Sequence, residues 1–326
     1  MNILVTGGAG YIGSVTADHL LRAGHGVTVL DNLSKGHRES VPEKAEFIEG
    51  DIHDRALLKQ LLPQGFDAVM HFAAFIEAGE SMSDPDKYFE NNLLGSYTLF
   101  SEVVQAGIKR VVFSSTAAVY EGGDAPLTET SVLKPVNVYG QTKRMMEEIL
   151  EWYHLTKSLQ VCIFRYFNAA GASLLDTPPV RGEDHTPETH IIPNILDVAL
   201  GKKEQFTLFG DDYPTEDGTC VRDYIHVDDL AAAHLLGLDA LANNVFGFDV
   251  FNLGNGLGFS NSQVVEMARQ VTGHPIPVVV SQKRVGDAAR LVASSEKAQQ
   301  VLGWTPKYPD IKTIVSSAWE FKKQNQ

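Results

Sequence analysis

The first half of the chain alternates between short apolar runs and longer segments in which apolar positions recur at helical spacing. The apolar runs predict strands at residues 1–5, 27–30, 45–48, 68–72, 110–114 and 161–164. The helical spacing predicts helices at residues 12–23, 55–62, 86–106 and 139–154. Asp54 is placed to cap the second of these helices, and Gly24 to end the first. Strands separated by helices imply right-handed βαβ units, and therefore an α/β fold with a doubly wound parallel sheet.

The pattern changes after Asn168, where loops rich in Pro, Gly, Asp and Thr separate shorter elements. Helices are predicted near residues 192–200, after Asp228, near 263–271 and near 311–322. Long loops in a compact domain are often functional. We therefore expect two lobes, a nucleotide-binding domain over residues 1–167 and a smaller α/β substrate lobe over residues 168–326, with some later segments returning to the first domain.

Composition restricts the class of protein. The 326 residues carry 27 basic and 41 acidic side chains, a net charge of −14, which disfavours a nucleic-acid partner. The two cysteines, Cys162 and Cys220, are too few for a disulfide scaffold and lack metal-site spacing, so we expect no metal. No signal peptide and no transmembrane run is evident, and a cytoplasmic protein is expected.

A glycine-rich loop follows the first predicted strand and opens the first predicted helix. Gly7, Gly10 and Gly13 allow a tight turn and a close approach of the backbone to a pyrophosphate, which the N-terminus of the helix then faces. Asp31 ends the second strand, where a carboxylate can bind ribose hydroxyls and repel a 2′-phosphate. This combination predicts a dinucleotide site that favours NAD over NADP.

Tyr139 and Lys143 lie four residues apart at the start of a predicted helix, on one face. An ammonium beside a phenol favours the phenolate, so we expect Lys143 to lower the pKa of Tyr139 and make it a general base. Thr116 ends the fifth predicted strand, at the sheet edge where ligands bind. Arg222 and Arg284 each offer a planar fork suited to phosphate oxygens.

The glycine loop and the segment 211–227 resemble the UDP-hexose 4-epimerase family of the extended short-chain dehydrogenase/reductase superfamily, and the resemblance extends from residue 2 to residue 304. It implies a Rossmann fold and tightly bound NAD, with Thr116, Tyr139 and Lys143 as catalytic residues. The implied cofactor contacts are Gly7, Gly10, Tyr11, Ile12, Gly13, Asp31, Asn32, Ser34, Gly36, Asp51, Ile52, Phe72, Ala73, Ala74, Asn91, Ser114, Tyr139, Lys143 and Tyr166. The implied substrate contacts are Thr116, Tyr139, Asn168, His190, Ile191, Thr207, Phe209, Arg222, Arg284 and Asp287.

Within that set, the resemblance assigns the substrate diphosphate to Arg222, Arg284 and Asn168. It places Asp287 near the ribose or uracil and Phe209 against the uracil. The implied reaction is reversible epimerisation of UDP-galactose and UDP-glucose at C4 through a 4-keto sugar. The two long helices are implied to form a homodimer interface.

Two positions leave alternatives open. Ile76 stands where some family members carry a Lys that reaches the cofactor phosphates. Leu291 lies where the family sets the size of the sugar pocket, and its intermediate size leaves UDP-N-acetylhexosamines, UDP-pentoses and UDP-uronates as alternative substrates. A net NAD-dependent dehydrogenase and a non-enzymatic NAD-binding regulator are further alternatives on grounds of fold.

Overall fold

The computed structural model describes residues 1–175, 180–284 and 287–325. Its strands are β1 (Asn2–Thr6), β2 (Gly26–Asp31), β3 (Glu46–Glu49), β4 (Ala68–His71), β5 (Arg110–Thr116), β6 (Gln160–Tyr166), β7 (Asn168–Ala170), β8 (Phe206–Phe209), β9 (Val221–Arg222), β10 (Tyr224–His226), β11 (Phe248–Leu253), β12 (Phe259–Ser260), β13 (Val278–Ser281) and β14 (Arg290–Leu291). Its α-helices are α1 (Tyr11–Arg22), α2 (Arg55–Leu61), α3 (Ala78–Ser83), α4 (Pro85–Tyr88), α5 (Ser96–Gln105), α6 (Val138–Lys157), α7 (Ile191–Ala199), α8 (Val227–Ala242), α9 (Asn261–Thr272), α10 (Glu296–Leu302) and α11 (Ile311–Gln324). None of the helices in these described ranges is long and apolar enough to cross a membrane.

The main sheet confirms the predicted fold class. Within the described residues it has seven strands in the order β11-β6-β5-β4-β1-β2-β3, and all neighbouring pairs are parallel. Successive side chains of β1 point to opposite faces, so Ile3 and Val5 enter one apolar core and Leu4 enters the other. Helices α1 and α8 cover the first face, and α2, α5 and α6 cover the second. The sheet is therefore buried on both sides, as a doubly wound fold requires.

The predicted helix ends agree with the capping chemistry. The side chain of Asp54 accepts hydrogen bonds from the backbone N–H groups of Ala56 and Leu57 at the start of α2. Gly24 follows the end of α1 with a φ of 85°, which glycine adopts at little cost. The helix predicted at residues 86–106 consists of α4, a π-helical segment (Phe89–Gly95) and α5. Helical spacing alone does not distinguish the wider π turn from an α turn.

One strand of the sheet was not predicted. β11 lies far along the chain, yet it pairs in parallel with β6 and forms the edge of the sheet. α8 also comes from the second half of the chain, and it packs against α1. The division into lobes at residue 167 stays a prediction, and segments on both sides of that residue build the main sheet and its helices.

Helices and short strands after residue 167 form a separate apolar cluster, here called the second cluster, beside the carboxyl edge of the main sheet. α7, α9 and α11 pack together there around Ile195, Val264 and Ile314. Short strand pairs border the cluster: β8 with β13, β7 with β10, and β9 between β12 and β14. Part of the polar loop that precedes α7, residues 176–179, lies outside the described residues. These short strands carry Asn168, Thr207, Phe209 and Arg222, which were predicted to contact the substrate.

Candidate active site

Two adjoining cavities lie where the carboxyl edge of the main sheet meets the second cluster. The glycine-loop cleft, of about 1000 Å³, is lined among others by Gly7, Asp31 and Tyr139. The arginine cavity, of about 460 Å³, is lined among others by Phe209 and Arg284, and Arg284 also lines the cleft. A molecule that extended from one cavity into the other would therefore contact both lobes.

The glycine loop is packed too closely to admit side chains. Gly7 has a φ of 72°, and a Cβ atom there would lie 2.5 Å from the backbone nitrogen of Ala73. A Cβ atom on Gly13 would lie 2.2 Å from the carbonyl oxygen of Gly7. The absence of side chains brings the N-terminus of α1 and the end of β4 to the floor of the cleft. This arrangement fits a bound pyrophosphate, which backbone N–H groups and the helix dipole stabilise.

Asp31 holds the same loop in place from the end of β2. Its Oδ2 accepts a hydrogen bond from the Ala9 N–H at 3.0 Å, and its Oδ1 accepts one from the Leu33 N–H at 2.9 Å. Burial raises the pKa of the carboxyl group, and these two hydrogen bonds oppose that rise. The carboxylate also lines the cleft, so it can accept further hydrogen bonds from ribose hydroxyls.

Tyr139 and Lys143 are positioned by the first turn of α6. The side chain of Asn137 caps this helix by accepting a hydrogen bond from the Gly140 N–H at 2.8 Å. A Cβ atom on Gly140 would lie 2.2 Å from the Ala118 carbonyl oxygen, so glycine lets the helix pack directly against the turn after β5. Tyr139 and Thr116 consequently line the same cleft.

The electrostatics of this pair differ from the expectation. Burial raises the pKa of Tyr139 to about 12; the hydrogen bond with Thr116 lowers it, and the Glu77 carboxylate raises it. Burial also lowers the pKa of Lys143 to about 7, against the opposing effect of Glu147. The Lys143 Nζ donates a hydrogen bond to the Ser114 carbonyl oxygen at 2.8 Å. Desolvation therefore dominates both groups in the nucleotide-free site, and the lowering of the Tyr139 pKa by Lys143 and a bound cofactor stays a prediction.

The arginines of the second cavity have partners within the protein. Arg222 Nη1 donates to the Ala288 carbonyl oxygen at 2.7 Å, and its Nη2 lies 3.6 Å from Asp287 Oδ1. The guanidinium of Arg284 stacks over the Phe209 ring, with Cζ 3.9 Å from the ring centroid. Cationic forks therefore lie beside an aromatic ring and a carboxylate. These groups are suited to the phosphate, base and sugar parts of a nucleotide.

Comparisons with known proteins place the chain in a family. The family model described as NAD dependent epimerase/dehydratase matches residues 3–254, from β1 through the edge strand β11. The chain belongs to the NAD-dependent epimerase/dehydratase family. The predicted membership of a family of NAD-dependent epimerases is thus confirmed.

Relatives of this epimerase/dehydratase-family chain are similar over nearly their whole lengths. A UDP-glucose 4-epimerase of Halalkalibacterium halodurans is 50% identical, over 100% of this chain and 96% of the relative. A crystal structure of a UDP-glucose 4-epimerase is 47% identical with a TM-score of 0.94, covering 99% of this chain and 98% of that one. A Brucella ovis UDP-glucose 4-epimerase in complex with NAD is 41% identical with a TM-score of 0.93, covering 98% of this chain and 97% of that one.

The fold brings the predicted site residues of this family member together. Among the predicted cofactor contacts, Asp51 does not line the cleft. It accepts a hydrogen bond at 2.8 Å from Asn32, and Asn32 does line the cleft. The other predicted cofactor contacts and Thr116 line the glycine-loop cleft. Ile191, Thr207 and Phe209 line the arginine cavity. The residues that line both cavities include Asn168, His190, Arg222, Arg284 and Asp287.

Several lining residues were not predicted. Lys35 Nζ lies 3.1 Å from Glu77 Oε1 in the cleft wall, and Glu77 directly follows Ile76 in the sequence. Lys35 stands directly after the predicted contact Ser34, and that position was the only available signal. Glu183 lines both cavities and His185 lines the cleft, but both lie in an irregular loop without a recognisable motif.

Proposed function

We propose that the chain catalyses the reversible NAD-dependent epimerisation of UDP-galactose and UDP-glucose at C4, through a 4-keto sugar. The observation that carries this proposal is that Tyr139 and Thr116 both line the cleft that meets the arginine cavity, with Thr116 close enough to lower the pKa of the phenol. The family match and the full-length similarity to UDP-glucose 4-epimerases support the same reaction.

Tyr139 is the proposed general base. Its phenol takes the proton from the sugar O4, and Thr116, in the same cleft lining, relays that proton. When held by the glycine loop and Asp31, NAD⁺ would supply hydride transfer from and to C4, and return to the opposite face of the sugar inverts that carbon. Because burial holds the pKa of Tyr139 at about 12, the positive charge of the cofactor is needed to favour the phenolate.

Lys143 is proposed to hold the ribose of the cofactor. Burial holds the pKa of its amine at about 7, so it exchanges protons near neutral pH. A ribose hydroxyl group beside the amine, or negative charge developing on the Tyr139 phenol, favours the ammonium form of Lys143. Lys143 would then contribute to lowering the pKa of Tyr139 only once the site is filled.

The arginine cavity is the proposed UDP site. Arg222 and Arg284 bind the diphosphate, and Asn168 contributes a hydrogen bond from the boundary of the two cavities. Phe209 packs against the uracil, and Asp287 binds a ribose hydroxyl in place of its ion pair with Arg222. Strong binding of UDP with few directional contacts to the sugar leaves the 4-keto sugar free to turn over.

The size of the Leu291 side chain bears on which sugars the cleft can admit. It lines the glycine-loop cleft, and its Cδ2 would lie 3.6 Å from a Cβ atom on Gly122. A side chain of this size neither fills the sugar space as an aromatic ring would nor opens it fully. UDP-N-acetylhexosamines are therefore the second candidate substrate class, and UDP-pentoses and UDP-uronates the third.

We further propose a cytoplasmic homodimer. The π-helical segment and α5 carry the exposed Leu94 and Tyr97, and α6 carries the exposed Trp152 and Leu155. Exposed large apolar side chains on adjacent helices are typical of a protein interface. Light scattering on the purified protein tests this state, and a monomeric mass at micromolar concentration would contradict it.

Product analysis by NMR tests the proposed reaction. The purified protein, without added NAD, is incubated separately with UDP-galactose and UDP-N-acetylgalactosamine. The proposal predicts that UDP-glucose forms from the first, and the second substrate shows how Leu291 limits the pocket. No conversion of either substrate, even with added NAD, would contradict the hexose reaction. A requirement for stoichiometric soluble NAD would favour the net dehydrogenase instead.

A further inference from the structure

A cluster of histidines and glutamates occupies the loop before α7, and the proposed reaction uses only His190 of this cluster. The ligand atoms of Glu183, His185 and His190 all lie within 4.8 Å of one another. Glu188 joins them, with its Oε1 2.8 Å from His190 Nδ1. Glu183 contacts both histidines, one oxygen at His185 Nδ1 and the other 3.6 Å from His190 Nδ1. Two imidazole nitrogens and the Glu183 carboxylate therefore converge on one small volume, and Glu188 contacts it through His190.

The two carboxylates are buried, and one of their oxygens lacks a partner. The side chains of Glu183 and Glu188 are only 8% and 7% exposed. Glu188 Oε2 is buried without a hydrogen-bond partner among the described residues. A buried carboxylate oxygen without a partner is costly, because its lost hydration is not replaced. This oxygen belongs to a carboxylate that contacts His190 of the cluster, so its burial favours binding of a cationic group there.

Charge balance leads to the same conclusion. With both imidazoles neutral, Glu183 and Glu188 leave a charge of −2, which one divalent cation or two protons would neutralise. Protons and a metal ion would compete for the same imidazole nitrogens.

We propose that Glu183, His185 and His190 form a binding site for a divalent transition-metal ion of the Zn²⁺ type, with Glu188 beside it. Imidazole nitrogen and carboxylate oxygen are ligands that Zn²⁺ takes in four-coordinate sites, at about 2.0–2.2 Å from the ion. The proposed epimerase reaction does not use this ion, although His190 is also a proposed substrate contact. The site differs from the expectation of no metal, which considered cysteines and regular ligand spacing, whereas these ligands lie in an irregular loop.

The site lies where an ion would hinder the substrate. Glu183 and His190 line both the glycine-loop cleft and the arginine cavity. A bound ion would fix His190, a proposed substrate contact, in the metal site. The structure therefore implies inhibition by Zn²⁺ that a chelator reverses, a consequence that rests on the proposed function. Inhibition that persists in the His185→Ala variant would contradict this consequence without bearing on the epimerase reaction itself.

Direct metal binding tests the site independently of activity. The purified protein competes with a chromophoric chelator for Zn²⁺ near neutral pH, and about one tightly bound ion per chain is expected. His185→Ala and Glu183→Gln each remove one ligand and are expected to weaken binding by on the order of 100-fold or more. His274→Ala serves as the matched control, because His274 is an exposed histidine outside the cluster, and it is expected to bind as the wild type does.

Thermal unfolding shows whether each variant is folded and whether the ion binds the native state. Zn²⁺ is expected to raise the Tm of the wild type and of His274→Ala, but not of His185→Ala. Binding is also expected to weaken as the pH falls and the histidines become protonated. The proposal is overturned if the wild type binds no Zn²⁺, or if folded His185→Ala and Glu183→Gln bind it with unchanged affinity.

Discussion

Replacing Lys143 by Met is expected to stabilise the nucleotide-free protein while abolishing most of its activity. Lys143 is 3% exposed, and burial lowers the pKa of its amine from 10.5 to about 7. Between these values the unfolded chain binds a proton that the folded chain does not, so the free energy of unfolding rises as the pH rises from about 7 to 10.5. Below pH 7 the destabilisation by the buried amine is at its greatest.

The size of the effect follows from these two pKa values. Each pH unit between them corresponds to about 1.4 kcal/mol, so at pH 7 the buried amine destabilises the fold by on the order of 4 kcal/mol. Met fills a similar volume but cannot donate to the Ser114 carbonyl oxygen, and losing that hydrogen bond costs about 1–3 kcal/mol. The net expectation for Lys143→Met is a gain of roughly 1–3 kcal/mol at pH 7.

Urea unfolding of nucleotide-free protein between pH 6 and pH 10 measures the change. Lys59→Met is the control, since Lys59 is an exposed lysine on α2 and its loss is expected to leave the pH dependence unchanged. The wild type should show a rise in unfolding free energy with pH that Lys143→Met lacks. If the unfolding free energy rose with pH equally in the two proteins, or if Lys143→Met were less stable than the wild type at pH 7, the buried amine would not be the source of the destabilisation.

Further substitutions test other parts of the site. Tyr139→Phe should lower kcat by on the order of 10²–10⁴-fold with little effect on UDP affinity, which steady-state kinetics and calorimetry measure; near-normal kcat would exclude it as the base. Arg222→Lys should raise the KM for UDP-galactose by on the order of 10-fold, because lysine cannot present a planar fork; an unchanged KM would remove Arg222 from the diphosphate site. His190 contributes stability that is fully present below its unfolded pKa, near 6.5, and is lost as the pH rises through about 9. His190→Asn should remove this pH dependence of Tm, and an unchanged profile would contradict it.

The first half of the fold could be predicted because its signals are local. The glycine loop, the N-cap at Asp54 and the regular alternation of strand and helix each act within a few residues. The residues that bind or react at the carboxyl edge of a parallel sheet follow directly once the strands are placed. For this reason the sequence could place Asp31 and Thr116 at the cleft that they line, whereas the catalytic role of Thr116 came only from the family resemblance.

The remaining features depend on contacts between distant segments. β11 joins the sheet beside β6, a pairing across more than 80 residues that no local pattern indicates. The ion pair between Arg222 and Asp287, and the stacking of Arg284 on Phe209, likewise depend on how the second lobe folds back. The raised pKa of Tyr139 depends on the depth of its burial, which the spacing of Tyr and Lys does not report.

In the proposed reaction, hydride leaves C4 and returns to it within one active site that keeps its cofactor. Conversion of UDP-galactose that carries deuterium at C4, with no added NAD and in ordinary water, tests this directly. We expect UDP-glucose that retains the deuterium at C4, since the same hydride returns to the sugar before the sugar leaves the site. Product with hydrogen from solvent at C4, or accumulation of free NADH and a 4-keto sugar, would contradict it.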